Sequence, residues 1–201
     1  MSPKTEGTRR CRGRRAGDFR RIRFHGVLNV LQDPPVIEVI KVQEVWDVLD
    51  ASGRKTGRTM LRGEPIAPGD YHLVVHIWIR NEKKEYLIQK RAEHLDLFPG
   101  LWATTGGSVV AGEDSLSGAI RETREEVGLT LQKSWLSLLS RIVREGSIVD
   151  VWFAQVQSAD LEQPVLNEEV SAIRWVSKDT IRQMIRSGEF HDYGYIDRLL
   201  P

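Results

Sequence analysis

The chain has 201 residues, of which 40% are hydrophobic and 28% are charged, a composition typical of a soluble globular protein. Its longest apolar stretch, around residues 73–79, is too short to cross a bilayer, which argues against an integral membrane protein. The net charge of +1 conceals an asymmetry, because residues 1–23 contain nine basic and two acidic residues whereas the remainder contains 20 basic and 26 acidic residues.

Residues 1–36 differ in composition from the rest, and they predict a basic, disordered N-terminal extension before one folded domain over residues 37–201. Clustered arginines attract phosphate backbones, so the alternative interpretation of this segment is a tether for nucleic acid. The segment lacks the interleaving of aromatic and basic residues that would recognise bases, and we favour an inert extension. The single cysteine, Cys11, excludes a disulfide within the chain and is consistent with a cytoplasmic location.

The first half of the folded domain predicts short strands separated by turns. Residues rich in Val, Ile, Trp and Tyr predict strands at 44–50, 72–80 and 85–91, and a short extended segment follows at 101–105. The sequence Asp50-Ala51-Ser52-Gly53 predicts a hairpin turn after the first of these strands.

The second half predicts one central helix with strands on both sides. Helical periodicity is clearest over residues 115–127, and Gly128 follows where a helix end requires a left-handed residue. Further elements are predicted as strands at 135–143, 148–156 and 172–176, a helix capped by Ser177 that stops at Gly188, and a short helix near 195–200. This order predicts an α/β fold with a mixed sheet, without the regular alternation of a doubly wound sheet.

The helix over residues 115–127 has two chemically different faces. Its apolar stripe, which is predicted to face the core, consists of Leu116, Ile120, Thr123 and Val127. Three carboxylates crowd the last turns on the other side, namely Glu122, Glu125 and Glu126. Like charges at this spacing cost about 0.2–0.5 kcal/mol per pair, and the helix dipole disfavours anions at this end by about 0.3–1 kcal/mol each. A divalent cation would reverse both penalties, so the cluster predicts a metal site.

The carboxylates stand in register with residues on either side of them. The order is Gly107, five residues, Glu113, seven residues, Arg121-Glu122, two residues, Glu125-Glu126, one residue, then Gly128-Leu129. This arrangement resembles the Nudix box, the signature of hydrolases that act on nucleoside diphosphates linked to another moiety. Thr123 stands where the signature has an aliphatic residue, and every other position matches. The resemblance implies the Nudix fold, an α/β/α sandwich with a mixed sheet.

The resemblance also implies a metal-dependent site for Mg²⁺, with Mn²⁺ as the alternative. The expected ligands are the carboxylates of Glu122, Glu125 and Glu126 and the backbone carbonyl of Gly107. Oxygen donors of this kind suit Mg²⁺, and metals that bridge a diphosphate neutralise its charge and orient an attacking water. By the same resemblance Glu125 or Glu126 is the catalytic base, Arg121 orients the glutamates through ion pairs, and Glu113 is a supporting carboxylate.

Five residues outside the box are also considered, each with a plainer alternative. Glu168 and Glu169 form an acidic pair before a predicted strand, and they are expected either to supply an additional base or metal ligand or to lie in a surface loop. Arg62 and Arg91 could contact substrate phosphates, since arginine matches phosphate geometry, or form surface ion pairs. His72 is expected to be a structural or substrate-side residue rather than a metal ligand.

The expected function is hydrolysis of a phosphoanhydride bond in a small diphosphate-containing substrate. Over residues 42–185 the chain is similar to a Nudix subgroup related in sequence to isopentenyl-diphosphate isomerase, which makes isomerisation the first alternative. Those isomerases use a cysteine for proton transfer at carbon, and residues 103–108 contain none. The second alternative is a catalytically silent binding module, although all box glutamates are present. Nucleic acid is expected as a partner only through the basic extension, and a homodimer stays open.

Overall fold

A computed structural model describes residues 43–201, so the predicted extension of residues 1–36 and Cys11 lie outside the described residues. The described chain contains nine strands and three α-helices. The strands are β1 (Val45–Leu49), β2 (Lys55–Leu61), β3 (His72–Arg80), β4 (Tyr86–Arg91), β5 (Trp102–Ala103), β6 (Thr105–Ser108), β7 (Leu136–Arg144), β8 (Ser147–Gln155) and β9 (Val170–Val176). The helices are α1 (Ser115–Val127), α2 (Lys178–Arg186) and α3 (Ile196–Leu199).

The strands form a two-stranded antiparallel sheet and a seven-stranded mixed sheet. The small sheet pairs β1 with β2, and the large sheet has the order β5-β4-β3-β8-β7, with β6 paired to β3 and β9 paired to β4. Only the β3–β8 pairing is parallel in the described sheet. Strands β3 and β4 pair only at Arg80 and Tyr86, and β6 lies beside β3 from Val74 to Ile77. Strand β3 therefore changes its antiparallel partner along its length, from β6 at Val74 and Ile77 to β4 at Arg80.

The hydrophobic core lies on both faces of the large sheet. Side chains of a strand alternate between faces, and in β3 Val75 and Ile77 pack toward α1 while Trp78 packs toward α2 and α3. Because β3 lies inside the sheet and is covered on both faces, its sequence is apolar over most of its length. Helices cover both faces of a mixed sheet, so the predicted α/β/α sandwich is confirmed.

Most predicted elements are confirmed within two residues, and the predicted bounds of β3 and α1 agree with the structure. The predicted hairpin turn follows β1, with Ser52 N–H donating to Asp50 Oδ1 over 2.9 Å and Gly53 at φ +79°. The predicted segment 101–105 forms two short strands, β5 and β6, and β6 continues to Ser108. No helix among residues 43–201 is both long and apolar enough to cross a membrane.

The predicted orientation of α1 is wrong in one respect. Leu116 and Ile120 are only half-buried, whereas Glu126, expected on the opposite side, is buried. The reason is the small residues of the helix, because Gly118 lies so close to Val109 that an added Cβ would come within 2.8 Å of a methyl group. Close approach at Gly118 and the buried Ala119 turns Glu126 inward, toward the sheet.

Candidate active site

A cavity of about 440 Å³ is lined by the last turns of α1, by β3 and β6, and by the segment after α2. Its wall combines carboxylates with cationic and aromatic groups. The carboxylates on it are those of Glu44, Glu122, Glu125, Glu126 and Glu169. The cationic and ring-bearing residues on it are Arg62, Arg91, Arg144, His72, His76, His191, Trp46, Phe98 and Tyr193. Such a lining suits a ligand that carries both metal-binding and anionic groups.

Glu126 lies at the buried end of the carboxylate cluster, with 3% of its surface exposed. Its Oε2 accepts hydrogen bonds from Gln89 Nε2 at 3.0 Å and from the Gly106 N–H at 3.1 Å. Burial, together with the charge of Glu122, raises the pKa of Glu126 to about 8, although the two hydrogen bonds oppose the shift. The site therefore favours a cation beside this carboxylate or a proton on it.

Glu122 lies one turn before Glu126, and its carboxyl group rests against the backbone of Gly107. A Cβ added to Gly107 would lie 2.5 Å from Glu122 Cδ, so any side chain at this position would displace the carboxylate. Burial raises the pKa of Glu122 to about 7, although the charge and hydrogen bond of Arg121 oppose the shift. The structure thus explains the glycine of the box by the space that Glu122 occupies.

Arg121 connects the acidic residues of the box to β6. Its Nη1 donates to Glu122 Oε1 at 2.8 Å and to Glu125 Oε2 at 2.9 Å, and its Nε donates to Glu113 Oε2 at 3.0 Å. Its Nη2 donates to the Ser108 carbonyl at 3.0 Å. A planar guanidinium can satisfy four acceptors in fixed directions, which a lysine cannot. Arg121 thus contacts the carboxylates of Glu113, Glu122 and Glu125 at once.

The donors expected for a metal line one cavity but do not already surround an ion. Among residues 43–201, no three His, Cys, Asp or Glu side chains are arranged to hold a single metal. Arg121 engages Glu122 and Glu125, while Gln89 and a backbone amide engage Glu126. The donor chemistry still fits a hard divalent cation, because the cluster offers carboxylate oxygens and Glu126 forms no ion pair with any described residue.

The candidates outside the box divide between the cavity and its surroundings. Arg62, Arg91 and Glu169 line the cavity, and Glu169 lies close enough to Glu126 for its charge to raise the pKa of Glu126. Glu168 is exposed and lines only an adjoining groove. Arg62 Nη1 also forms an ion pair with Glu44 at 3.1 Å, so the surface pairing considered for Arg62 coexists with its place in the cavity.

The aromatic and imidazole wall of the cavity carries residues that sequence reasoning missed. His191 and Tyr193 come from the segment after α2; His191 stacks on Phe98 with ring centroids 4.0 Å apart and meets Tyr193 edge-on at 4.6 Å. No motif marks this segment, and only its density of rings over residues 190–195 could have drawn attention to it. His72 Nδ1 is buried without a hydrogen-bond partner among the described residues, beside Trp46 on the same wall.

Comparison with known proteins identifies the family through a profile and through a relative. Residues 70–199 match the profile described as NUDIX domain. An uncharacterised Nudix hydrolase of Listeria innocua is 38% identical over 159 residues, which cover 78% of this chain and 93% of that protein. An isopentenyl-diphosphate Delta-isomerase of Pectobacterium atrosepticum is 29% identical over 153 residues, which cover 74% of this chain and 81% of the isomerase.

A crystal structure of a Deinococcus radiodurans protein shares the fold, with a TM-score of 0.64 and 21% identity over 79% of this chain and all of that one. The profile match, the relative from Listeria and the arrangement of Gly107, Arg121 and the glutamates of α1 agree with one another. The chain belongs to the Nudix hydrolase family.

Proposed function

We propose that the protein is a Mg²⁺-dependent pyrophosphohydrolase that cleaves a phosphoanhydride bond of a nucleoside diphosphate linked to another moiety, or of a related diphosphate. The observation that carries the proposal is the cavity, which is lined both by the glutamates of α1 and by Arg62 and Arg91. A diphosphate needs both kinds of group, because metal ions and arginines share its negative charge. Mn²⁺ is the alternative metal.

The residues of the box would divide the work between binding and positioning. Glu122, Glu125, Glu126 and the carbonyl of Gly107 would hold the metal, which when bound neutralises the diphosphate and polarises phosphorus toward attack by water. Arg121 and Glu113 would fix the directions of the glutamates through the contacts described above.

The base that takes a proton from the attacking water would be a carboxylate of this cavity. Glu126 and Glu125 are the candidates within the box, and Glu169 is a further candidate because it lines the same cavity. Glu168 is less suited to this role, because it is exposed and lines only the adjoining groove.

Isomerisation of an isoprenoid diphosphate is disfavoured by the residues at the cavity wall. The isomerase chemistry needs a thiol near Ala103 and Thr104, both of which line the cavity. Thr104 instead donates its hydroxyl to the Ile77 carbonyl at 2.5 Å, so it is committed to the backbone. A silent binding module is disfavoured because the box glutamates are retained and Glu122, Glu125 and Glu126 line one cavity.

The proposal is tested by a screen for phosphate or pyrophosphate release. The protein is incubated with Mg²⁺ and with nucleoside di- and triphosphates, sugar nucleotides, dinucleoside polyphosphates and isoprenoid diphosphates, with deuterium exchange into the isoprenoid as the readout for isomerisation. We expect EDTA to abolish release. Exchange without release would establish the isomerase alternative, and binding without either reaction would establish the binding module.

The roles within the box are tested by Glu126→Gln. We expect this variant to lose at least about 100-fold in kcat, because it removes a charge needed beside the reacting phosphorus, the kind of loss that follows removal of one preorganised electrostatic group. The matched control is Glu162→Gln, at an exposed loop position outside the cavity. Wild-type turnover by Glu126→Gln would contradict the assignment.

A further inference from the structure

The hydroxyl of Tyr195 contacts side-chain nitrogen atoms of two alternate residues of β3, His76 and Trp78. It lies 2.7 Å from Nδ1 of His76 and accepts a hydrogen bond from Trp78 Nε1 at 3.2 Å. An indole nitrogen is a donor only, so Trp78 fixes the tyrosine oxygen as an acceptor in that contact. The single proton of the hydroxyl is then free to be donated elsewhere.

The proton count at this junction selects one tautomer of His76. If His76 Nδ1 carried a proton, the oxygen of Tyr195 would receive two N–H groups and its own proton would have no acceptor among residues 43–201. If Nδ1 is unprotonated, Tyr195 donates to it, and His76 Nδ1, the Tyr195 hydroxyl and Trp78 Nε1 all have a partner. Buried polar groups are satisfied in folded proteins, so a neutral His76 carries its proton on Nε2.

The Nε2 edge of the ring faces the cavity. His76 lines the cavity, and no described group hydrogen bonds to its Nε2. This atom is not sealed in the core, because the one buried side-chain polar atom without a partner in the described chain is Nδ1 of His72. The neighbouring ring atom, Cδ2, would lie 3.3 Å from a Cβ at Gly106, the residue whose N–H binds Glu126. The glycine leaves this edge open beside the carboxylate cluster.

We propose that His76 donates a hydrogen bond from Nε2 to an oxygen of the substrate, and that Tyr195 is the positioning residue that fixes this tautomer. The inference rests on the proposed function for the identity of the substrate, a metal-bound diphosphate. A neutral donor binds a phosphoryl oxygen without placing another positive charge beside the metal. His76 thus offers an uncharged hydrogen-bond donor, whereas Arg62 and Arg91 offer charged ones.

The surroundings of His76 keep its ring neutral. Burial, together with the charges of Arg144 and His191, lowers the pKa of His76 to about 3. The ring is also held in place by Tyr193, which meets it edge-on with centroids 4.7 Å apart. Both its protonation state and its orientation are therefore set before a ligand arrives, which reduces the entropy lost on binding.

The tautomer is tested without reference to activity, by long-range ¹H–¹⁵N correlation spectra of the ¹⁵N-histidine-labelled protein. We expect a protonated Nε2 and an unprotonated Nδ1 for His76 at pH 7. In Tyr195→Phe, we expect the Nδ1 shift to move and the pure tautomer to become a mixture. Tyr71→Phe is the matched control, because the Tyr71 hydroxyl makes no hydrogen bond among the described residues. A protonated Nδ1 in the wild-type protein would overturn the inference.

The contact with substrate is tested by two substitutions of His76, assayed on the best substrate from the release screen. Gln can place an N–H near the position of Nε2, whereas Phe keeps the ring but has no donor. We expect His76→Phe to lower kcat/KM by about 10–100-fold and His76→Gln to recover most of that loss. Equal kcat/KM for His76→Phe and the wild type would overturn the inference while leaving the proposed hydrolysis standing. Absence of any hydrolysis by the wild type would remove the proposed function, and the tautomer would still be measured.

Discussion

Arg121 shows how one residue determines the geometry of several others. Its guanidinium contacts three glutamates and one carbonyl, and none of these partners could be held in the same way by a point charge. Its positive charge and the fixed directions of its N–H groups together offset the repulsion between the carboxylates at the end of α1. The arginine therefore stabilises the helix end and presets the site at the same time.

Substitution of Arg121 by Lys tests this combined role. We expect the Mg²⁺ concentration needed for half-maximal activity to rise by about 10–100-fold, as is usual when residues that orient metal ligands are changed. Titration of activity with Mg²⁺ measures the effect. Arg124→Lys is the control on the same helix, since Arg124 is exposed and forms no side-chain ion pair with any described residue. An unchanged requirement in Arg121→Lys would show that the glutamates orient themselves.

The positions of some site residues were predicted from the sequence, and those of others were not. The resemblance to the Nudix box implied that Gly107, Arg121 and Glu122 share one site, and the structure shows Glu122 in contact with both of the others. The burial of Glu126 was missed, since periodicity weighs apolar side chains and Gly118 has none. The contact between His76 and Tyr195 could not be predicted either, because the two residues are 119 positions apart and meet only through tertiary packing.

At the scale of elements, one ion pair connects β7, β8 and the β1–β2 hairpin. Asp150 is fully buried, and its two oxygens accept hydrogen bonds from Nε and Nη2 of Arg141, each at 2.7 Å. The guanidinium lies against the hairpin turn, where a Cβ on Gly53 would come within 2.8 Å of Nη1. A buried carboxylate depends on such a partner, since desolvation of an unpaired charge is costly.

Arg141→Met measures the cost of leaving Asp150 buried without its cation. We expect the free energy of unfolding to fall by about 3 kcal/mol, because the variant leaves the Asp150 carboxylate buried without its cation. Urea unfolding of the full chain gives the value. Arg182→Met removes an arginine that pairs with Asp179 and Asp197 at the surface, and we expect a much smaller loss. If both variants lost a similar free energy of unfolding, the expectation that the loss depends on burial of the carboxylate would be contradicted.

The elements themselves were predicted well where local sequence carries the information. Strand β3 and helix α1 have long, regular patterns, and both were located with their observed bounds. Neighbours in the sheet were not predicted, because the parallel pairing of β3 with β8 and the pairing of β4 with β9 are set by the packing of both faces. Local pattern determines what an element is, and only the whole chain determines what lies beside it.

For the whole molecule, the carboxylate cluster couples folding to pH and to metal. The raised pKa values of Glu122 and Glu126, about 7 and about 8, lie above the ordinary value of 4.5. Between pH 4.5 and about pH 8 the folded protein therefore binds more protons than the unfolded chain. Its free energy of unfolding falls as the pH rises through this range. A cation that binds the charged carboxylates acts in the opposite direction, because it binds the folded form.

We expect the metal-free protein to lose stability from pH 6.5 to pH 8.5, and Mg²⁺ to remove most of that decline. Urea unfolding at these two pH values, with EDTA or with Mg²⁺, provides the four measurements. In EDTA, Glu126→Gln should show a weaker decline, since the amide does not titrate. A decline of equal size with and without Mg²⁺ would show that another group is responsible.

The sheet order also has a consequence for the route by which the chain folds. Strand β3 needs β8, β4 needs β9, and the Tyr86 hydroxyl donates to the carbonyl of Pro201, 115 residues away. Contacts so distant in sequence form only after large loops have closed. The chain loses the entropy of loop closure before these contacts stabilise it, and folding is therefore slow. During synthesis, β3 and β4 would keep an apolar face exposed to water until the region after residue 170 leaves the ribosome. Loss of that region should therefore yield an aggregating chain rather than a smaller domain.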